Sequence, residues 1–485
     1  MKSAFSYQFD TKNLPLQRPP ALPRTMTQIR PDTLLASTAS AQAAALARGD
    51  TTAIALCDAA IARIEAQDGA INAVVVRDFA NARLQARAAD AALARGERRP
   101  LLGVPITVKE SFNVAGLPTT WGFEHARGFI AQADAVAVER LKAAGAVLLG
   151  KTNVPVALGD WQSVNPIYGR TNNPHDLSRT PGGSSGGAAA ALAAGFVALE
   201  LGSDIGGSIR VPAHCCGVYG HKPTHGLLPA SGHDFPGFPP GAPNELAVIG
   251  PLARSAQDLE LALDLLAGPI GAQARAMQVR LPPARPVQQS RCLLIAAAPG
   301  VAVAGDIQAR LHAVADDLQA SGCTVERGAS ELLPDLAASH AAYHRLLMTY
   351  ITRGTPGAAS MPAHEWLQLL DQRARMQAQW RRFFEGFDAL LLPAFGCTAY
   401  PHVPAMDWST ATVPIDGRPE LLGAQSFWQS VATLPGLPAT VAPIGHGSDG
   451  LPIGMQVIGP MYEDRTPLAL VRHLEAWRAR AAAGA

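Results

Sequence analysis

Short apolar runs alternate with helical stretches along most of this chain, and that alternation restricts its architecture more than any other feature. TTAIALCDAAIARIEA (51–66) opens on threonines and repeats apolar residues at helical spacing, and a second alanine-rich helix is expected over 79–95, ending at Gly96. LLGVPITVKE (101–110) reads as a short buried strand running into a loop. Asp134 is expected to cap the helix DAVAVERLKAAG, and AVLLGK (146–151) returns as a strand. Further on, a helix over 187–195 precedes a strand over 197–203. RCLLIAAAPG, FDALLLPAF (387–395), LPATVAPIG (437–445) and LPIGMQVIGP (451–460) read as strands, with helices near 306–320, 332–350, 362–385 and 466–482. The expectation is an α/β chain with a largely parallel or mixed sheet, as two or three domains or as one large sheet.

No internal repeat compels a domain cut within the 485 residues, although domains usually run about 100–150 residues. Residues 1–33 are read as an N-terminal extension and 34–485 as the main domain. The start is polar and proline-bearing, without the apolar centre of a secretion signal, so it reads as an extended arm or a segment upstream of an alternative start at Met26. No uninterrupted apolar run is long enough to span a bilayer. The cytoplasm is the expected compartment. Lys and Arg number 40 against 39 Asp and Glu, with no basic block, which argues against nucleic acid or an anionic membrane as partner. Six cysteines are scattered without metal-ligand spacing, and small buried hydrophobes are the expected role.

Two loops interrupt the periodic pattern. NPIYGRTNNPHDLSRTPGGSSGG holds a formal G-x-S-x-G around Ser184, but no strand precedes it as a hydrolase elbow requires. A phosphate loop also fails, because the Lys-Ser/Thr pair is missing. LLPASGHDFPGFPPGAPNE (227–245) carries Phe235 and Phe238, and reads either as a structured surface loop or as a cover over substrate.

Three separated pieces make a stronger pattern. GVPITVKESFNVAG offers Lys109 at the end of an apolar strand, TPGGSSGG offers Ser184, and GSDIGGSIRVPA offers Ser208. In wording, order and spacing these resemble the amidase signature family of serine hydrolases. The likeness runs from about residue 34 onward through NPIYGRTNNP, CGVYGHKPTHG, GPLARSAQDL and GLPIGMQVIGP.

The resemblance implies a single large α/β domain whose central mixed, mostly parallel sheet is covered by helices on both faces, and a Ser-Ser-Lys relay in place of Ser-His-Asp. Ser208 would be the nucleophile, Ser184 (in a cis peptide) the bridge and Lys109 the final base. The amides of Ile205, Gly206, Gly207 and Ser208 would form the oxyanion hole, with Ser185, Asp204 and Arg210 in support. A lysine at its ordinary pKa of about 10.4 is a poor base at neutral pH, and an apolar pocket lowers that value. Neither metal nor organic cofactor is expected. His214, His221 and His225, close downstream, are taken as polar packing, because Pro212, Gly217, Gly220 and Pro223 break any single helix face.

The implied reaction is hydrolysis of carboxylic amides, extending in some members to esters and carbamates, through an acyl-enzyme on Ser208. Leu158, Trp161, Phe235, Phe238, Phe427 and Trp428 are nominated as substrate walls favouring small aryl or alkyl amides, against the alternative that Phe427 and Trp428 are core. The expected partner is a small-molecule amide or carbamate, and the expected state a monomer or homodimer. Two other readings stand beside it: the glutaminase component of a tRNA-dependent amidotransferase, and a non-catalytic binder on the same scaffold.

Overall fold

The computed structural model describes residues 30–483, apart from 238–240, 243, 354–356, 359 and 406. Met26 and nearly all of the expected 1–33 extension lie outside the described residues, as does Phe238. The helix Pro31–Leu35 buries Leu34 and Leu35, so the boundary drawn after residue 33 falls within a packed element.

Eleven strands form one sheet. From one edge to the other they are Val74–Arg77, Val147–Thr152, Pro105–Lys109, Leu199–Asp204, Val248–Ala253, Tyr219–Lys222, Ala439–His446, Pro452–Ile458, Ala389–Pro393, Arg291–Leu294 and Thr324–Arg327. Pairing is mixed, and less parallel than the sequence suggested. Parallel neighbours occur only in the block of Val147–Thr152, Pro105–Lys109 and Leu199–Asp204, and in the block of Ala389–Pro393, Arg291–Leu294 and Thr324–Arg327. The remaining neighbours run antiparallel. One antiparallel pair, Ala439–His446 with Pro452–Ile458, is joined by the short return 447–451, which leaves no room for the crossover a parallel pair needs.

The central strands Pro105–Lys109, Leu199–Asp204 and Pro452–Ile458 are buried at every position, which requires cover on both faces. One continuous apolar core follows the sheet, and a smaller cluster gathers around Tyr343, Leu346, Leu369, Met376 and Leu434. Among the described residues no helix is long and apolar enough to cross a membrane.

Most expected elements form close to their expected bounds. Thr52 caps the helix Ala53–Ile71 by accepting from Ala55 N. Asp134 departs from its expected role: the helix Val136–Ala143 has no side-chain cap, and Asp134 instead accepts from Ala115 N and pairs with Lys142. The six cysteines are all buried and unbridged.

Candidate active site

Three separate pieces of backbone deliver the site. The strand Pro105–Lys109 ends on Lys109. The segment 181–185 runs into the helix Gly186–Ala193, and the strand Leu199–Asp204 turns through 205–209 into the helix Arg210–Cys216. Lys109 and Leu199–Asp204 sit in neighbouring parallel strands, with Thr107 opposite Glu200, so both chain ends emerge on the same edge.

Lys109 is entirely enclosed. Its Nζ donates to Ser184 Oγ at 2.6 Å and to Ser203 Oγ at 2.9 Å. Loss of water disfavours the ammonium and brings its pKa down to about 7, against the upward pull of Asp204 and Glu200. Glu200, on the adjacent strand, is pushed up to about 8 by the same burial. Two carboxyls therefore share this interior with the lysine, and only the one held by Arg210 is kept firmly ionised.

The Gly183–Ser184 peptide is cis, as the resemblance implies. The chain here presses against 160–162, and a Cβ on Gly183 would lie 2.4 Å from Asp160 O. Ser185 N donates to Ser208 O at 3.1 Å, which ties the two serine segments together. Ser208 Oγ has no hydrogen-bond partner among the described residues, and its side chain is nearly buried. Of the expected relay, Lys109 and Ser184 are thus hydrogen-bonded to each other, while Ser208 is tied through backbone to the neighbouring Ser185.

Asp204 organises the turn. Its carboxylate accepts from Gly207 N at 2.8 Å and Ile209 N at 3.0 Å, and receives Arg210 on both oxygens at 2.8 and 3.0 Å. Burial alone would raise its pKa, but the Arg210 guanidinium prevails and holds it at about 2. Arg210 also donates to Gln456 Oε1, Thr433 Oγ1 and Gln429 O, which locks the turn to two C-terminal elements. One expectation is corrected here. Gly207 N–H, foreseen among the oxyanion donors, is committed to Asp204. The amides of Ile205, Gly206 and Ser208 have no acceptor among the described residues.

The nominated wall residues divide. Leu158 lies half-buried in a turn where it and Ala157 both have positive φ. Phe235 is half exposed and packs against Trp121 in a tilted pair with ring centroids 4.5 Å apart. Its loop is pinned by Asn113 N to Gly232 O at 2.9 Å and by Ser111 Oγ and His233 Nε2 at 2.9 Å. Trp161, Phe427 and Trp428 are corrected as open walls. Trp428 is enclosed in the core and Phe427 nearly so, while Trp161 is buried with its Nε1 bonded to Gly206 O at 2.9 Å. Large rings near a reactive loop read equally as wall or as packing, and here packing wins. His214, His221 and His225 do pack, although His214 sits in the helix Arg210–Cys216, with Pro212 tolerated in its first turn.

This chemistry coincides with a family match. The family model described as Amidase fits residues 55–349 and 338–468. The chain belongs to the amidase signature family. It is 35% identical over 444 residues to AtzE, a component of the 1-carboxybiuret hydrolase of Pseudomonas sp. (strain ADP), covering 86% of this chain and 94% of that protein. It is 35% identical over 466 residues to the putative amidase AmiB2 of Mycobacterium tuberculosis (strain ATCC 25618 / H37Rv), covering 92% and 97%. A bacterial aryl acylamidase of the amidase signature family superposes with a TM-score of 0.76 at 25% identity, over 92% of this chain and 96% of that one. This amidase is accordingly a hydrolase of amide C–N bonds.

Sequence reasoning missed three residues that the amidase fold brings to the site: Ser203, Glu200 and Tyr343. Ser203 and Glu200 carried a signal, since each is polar within an apolar strand. Tyr343 carried none; it lies 138 residues from Ile205, whose carbonyl oxygen it meets at 3.2 Å.

Proposed function

We propose that this amidase cleaves small aryl or alkyl amides, and carbamates of similar size, through an acyl-enzyme on Ser208. The observation that carries the reading is Lys109 Nζ at 2.6 Å from Ser184 Oγ in a site dry enough to bring the amine to about 7. Ser208 Oγ attacks the carbonyl carbon and its proton passes to Ser184 Oγ. The Ser184 proton passes in turn to the neutral Lys109 amine. Charge on the substrate oxygen is met by the N–H groups of Ile205, Gly206 and Ser208, each such donor contributing about 10²–10³ in rate. The ammonium then returns its proton through Ser184 to the leaving nitrogen, the C–N bond breaks and the amine departs. Water attacks the ester by the same route, releasing the acid and restoring both serines and the neutral lysine.

The aryl preference rests on Phe235, half exposed against Trp121. A panel of anilides, aliphatic amides, carbamates, nitrophenyl esters and free glutamine tests it, alongside fluorophosphonate labelling of native protein and Ser208→Ala. Labelling lost in Ser208→Ala and turnover of anilides are expected. Turnover of glutamine alone would favour the amidotransferase reading, and native protein that resists the probe would favour a binder.

A further inference from the structure

Two aromatic side chains hold successive peptide units of the turn that carries the oxyanion donors. Tyr343, buried in the helix Leu336–Ile351, bonds through its hydroxyl to Ile205 O at 3.2 Å. Trp161 Nε1 donates to Gly206 O at 2.9 Å. In a planar trans peptide the carbonyl and the following N–H point in opposite directions. Drawing the Ile205 carbonyl toward Tyr343 therefore turns the Gly206 N–H the other way, and that N–H is one of those left without a protein acceptor among the described residues. The next unit is held at both ends, its carbonyl by Trp161 and its Gly207 N–H by Asp204 at 2.8 Å. Fixing that unit sets the direction in which the chain enters Ser208.

Both clamps are themselves rigid. The Trp161 ring lies 4.0 Å from Trp408 and meets Phe395 edge-on at 5.3 Å, while its carbonyl accepts from Tyr400 Oη at 3.0 Å. Tyr343 is fully enclosed by Leu346, Leu369, Met376, Leu434 and neighbouring apolar groups. The turn is shaped to fit them: a Cβ on Gly206 would stand 2.7 Å from the Tyr343 hydroxyl. Glycine at 206 thus serves the approach of this hydroxyl as well as that of substrate.

We propose that Trp161 and Tyr343 are positioning residues that preorient the oxyanion-hole amides by anchoring the carbonyls of Gly206 and Ile205. Neither touches the reacting atoms. The inference rests on the reading of Ser208 as nucleophile with the 205–208 amides as its oxyanion hole. An oxyanion donor acts only when aimed at the developing charge, so loosening the peptide forfeits part of the roughly 10²–10³ one donor contributes.

The test uses full-length Trp161→Phe and Tyr343→Phe, each removing one donor while keeping an aromatic ring. An anilide substrate, an aryl trifluoromethyl ketone (which adds to a serine as a tetrahedral oxyanion) and the product acid as a ground-state inhibitor are compared. Expected is a fall in kcat of about tenfold or more for each variant with KM within about twofold. The ketone's inhibition constant should rise by the same factor as kcat/KM falls, with product inhibition unchanged. A kcat equal to wild type, or losses in kcat that the ketone does not follow, would overturn the proposal. Should Trp161→Phe not accumulate, Tyr343→Phe carries the same comparison. Ser208→Ala separates the two levels: if it still labels with fluorophosphonate, the nucleophile reading has failed, whereas lost labelling with unaffected clamp variants refutes the clamp alone.

Discussion

The pH dependence of amide turnover follows directly from the enclosure of Lys109. With an ordinary ammonium pKa of 10.5, about 0.03% of the side chain would be neutral at pH 7; at about 7, the neutral fraction is about half. Burial thus raises the population of usable base by about three orders of magnitude at neutral pH. The sign is fixed by the chemistry: protonation removes the base, so activity is lost as pH falls. On a logarithmic scale kcat/KM for an anilide should climb about tenfold per pH unit below about 7 and level off above it. The measurement is steady-state kinetics from about pH 5.5 to about pH 9.5 at constant ionic strength, with fluorophosphonate labelling rates followed in parallel. The two should bend together, because both report activation of Ser208 in the free enzyme. A rate still rising tenfold per unit beyond about pH 9 would mean that the lysine is not desolvated. A flat profile would mean that it is not the base. Either result would refute the reasoning.

Lys109→Ala should lose far more anilide than nitrophenyl ester activity, since only the amine leaving group needs a proton returned to it; equal losses, read as kcat/KM ratios, would contradict that role. Asp204→Ala should lower stability by about 3–5 kcal/mol, because it leaves the fully enclosed Arg210 guanidinium without its counter-charge and frees the Gly207 and Ile209 amides. Urea unfolding checks this, and an unchanged midpoint would show that the pair is not a buried structural bridge.

The alternation of apolar runs with helical stretches was enough to specify an α/β chain, because both patterns are local and each follows from its own repeat. It was not enough to specify pairing direction. That depends on which strands become neighbours, and the antiparallel middle of the sheet joins Leu199–Asp204 to Val248–Ala253 and Tyr219–Lys222 to Ala439–His446. Asp134 shows the same limit on a smaller scale: a good capping residue next to a helix was drawn off to Ala115 N and Lys142.

At the site, Lys109, Ser184 and Ser208 were legible through the wording, order and spacing of three short segments that resemble the amidase signature family. By itself the sequence determined the reaction class, through its likeness to the amidase signature family, and named the residues proposed to perform it. Only the tertiary structure decided that Gly207 serves Asp204, that Trp161 and Trp428 are packed instead of open, that Ser203 accepts from Lys109, and that Tyr343 stands beside the turn. The physical reason is that hydrogen-bond partners and enclosure are properties of surfaces meeting in space, and residues such as Ile205 and Tyr343 meet across 138 positions of chain with no local pattern to announce it.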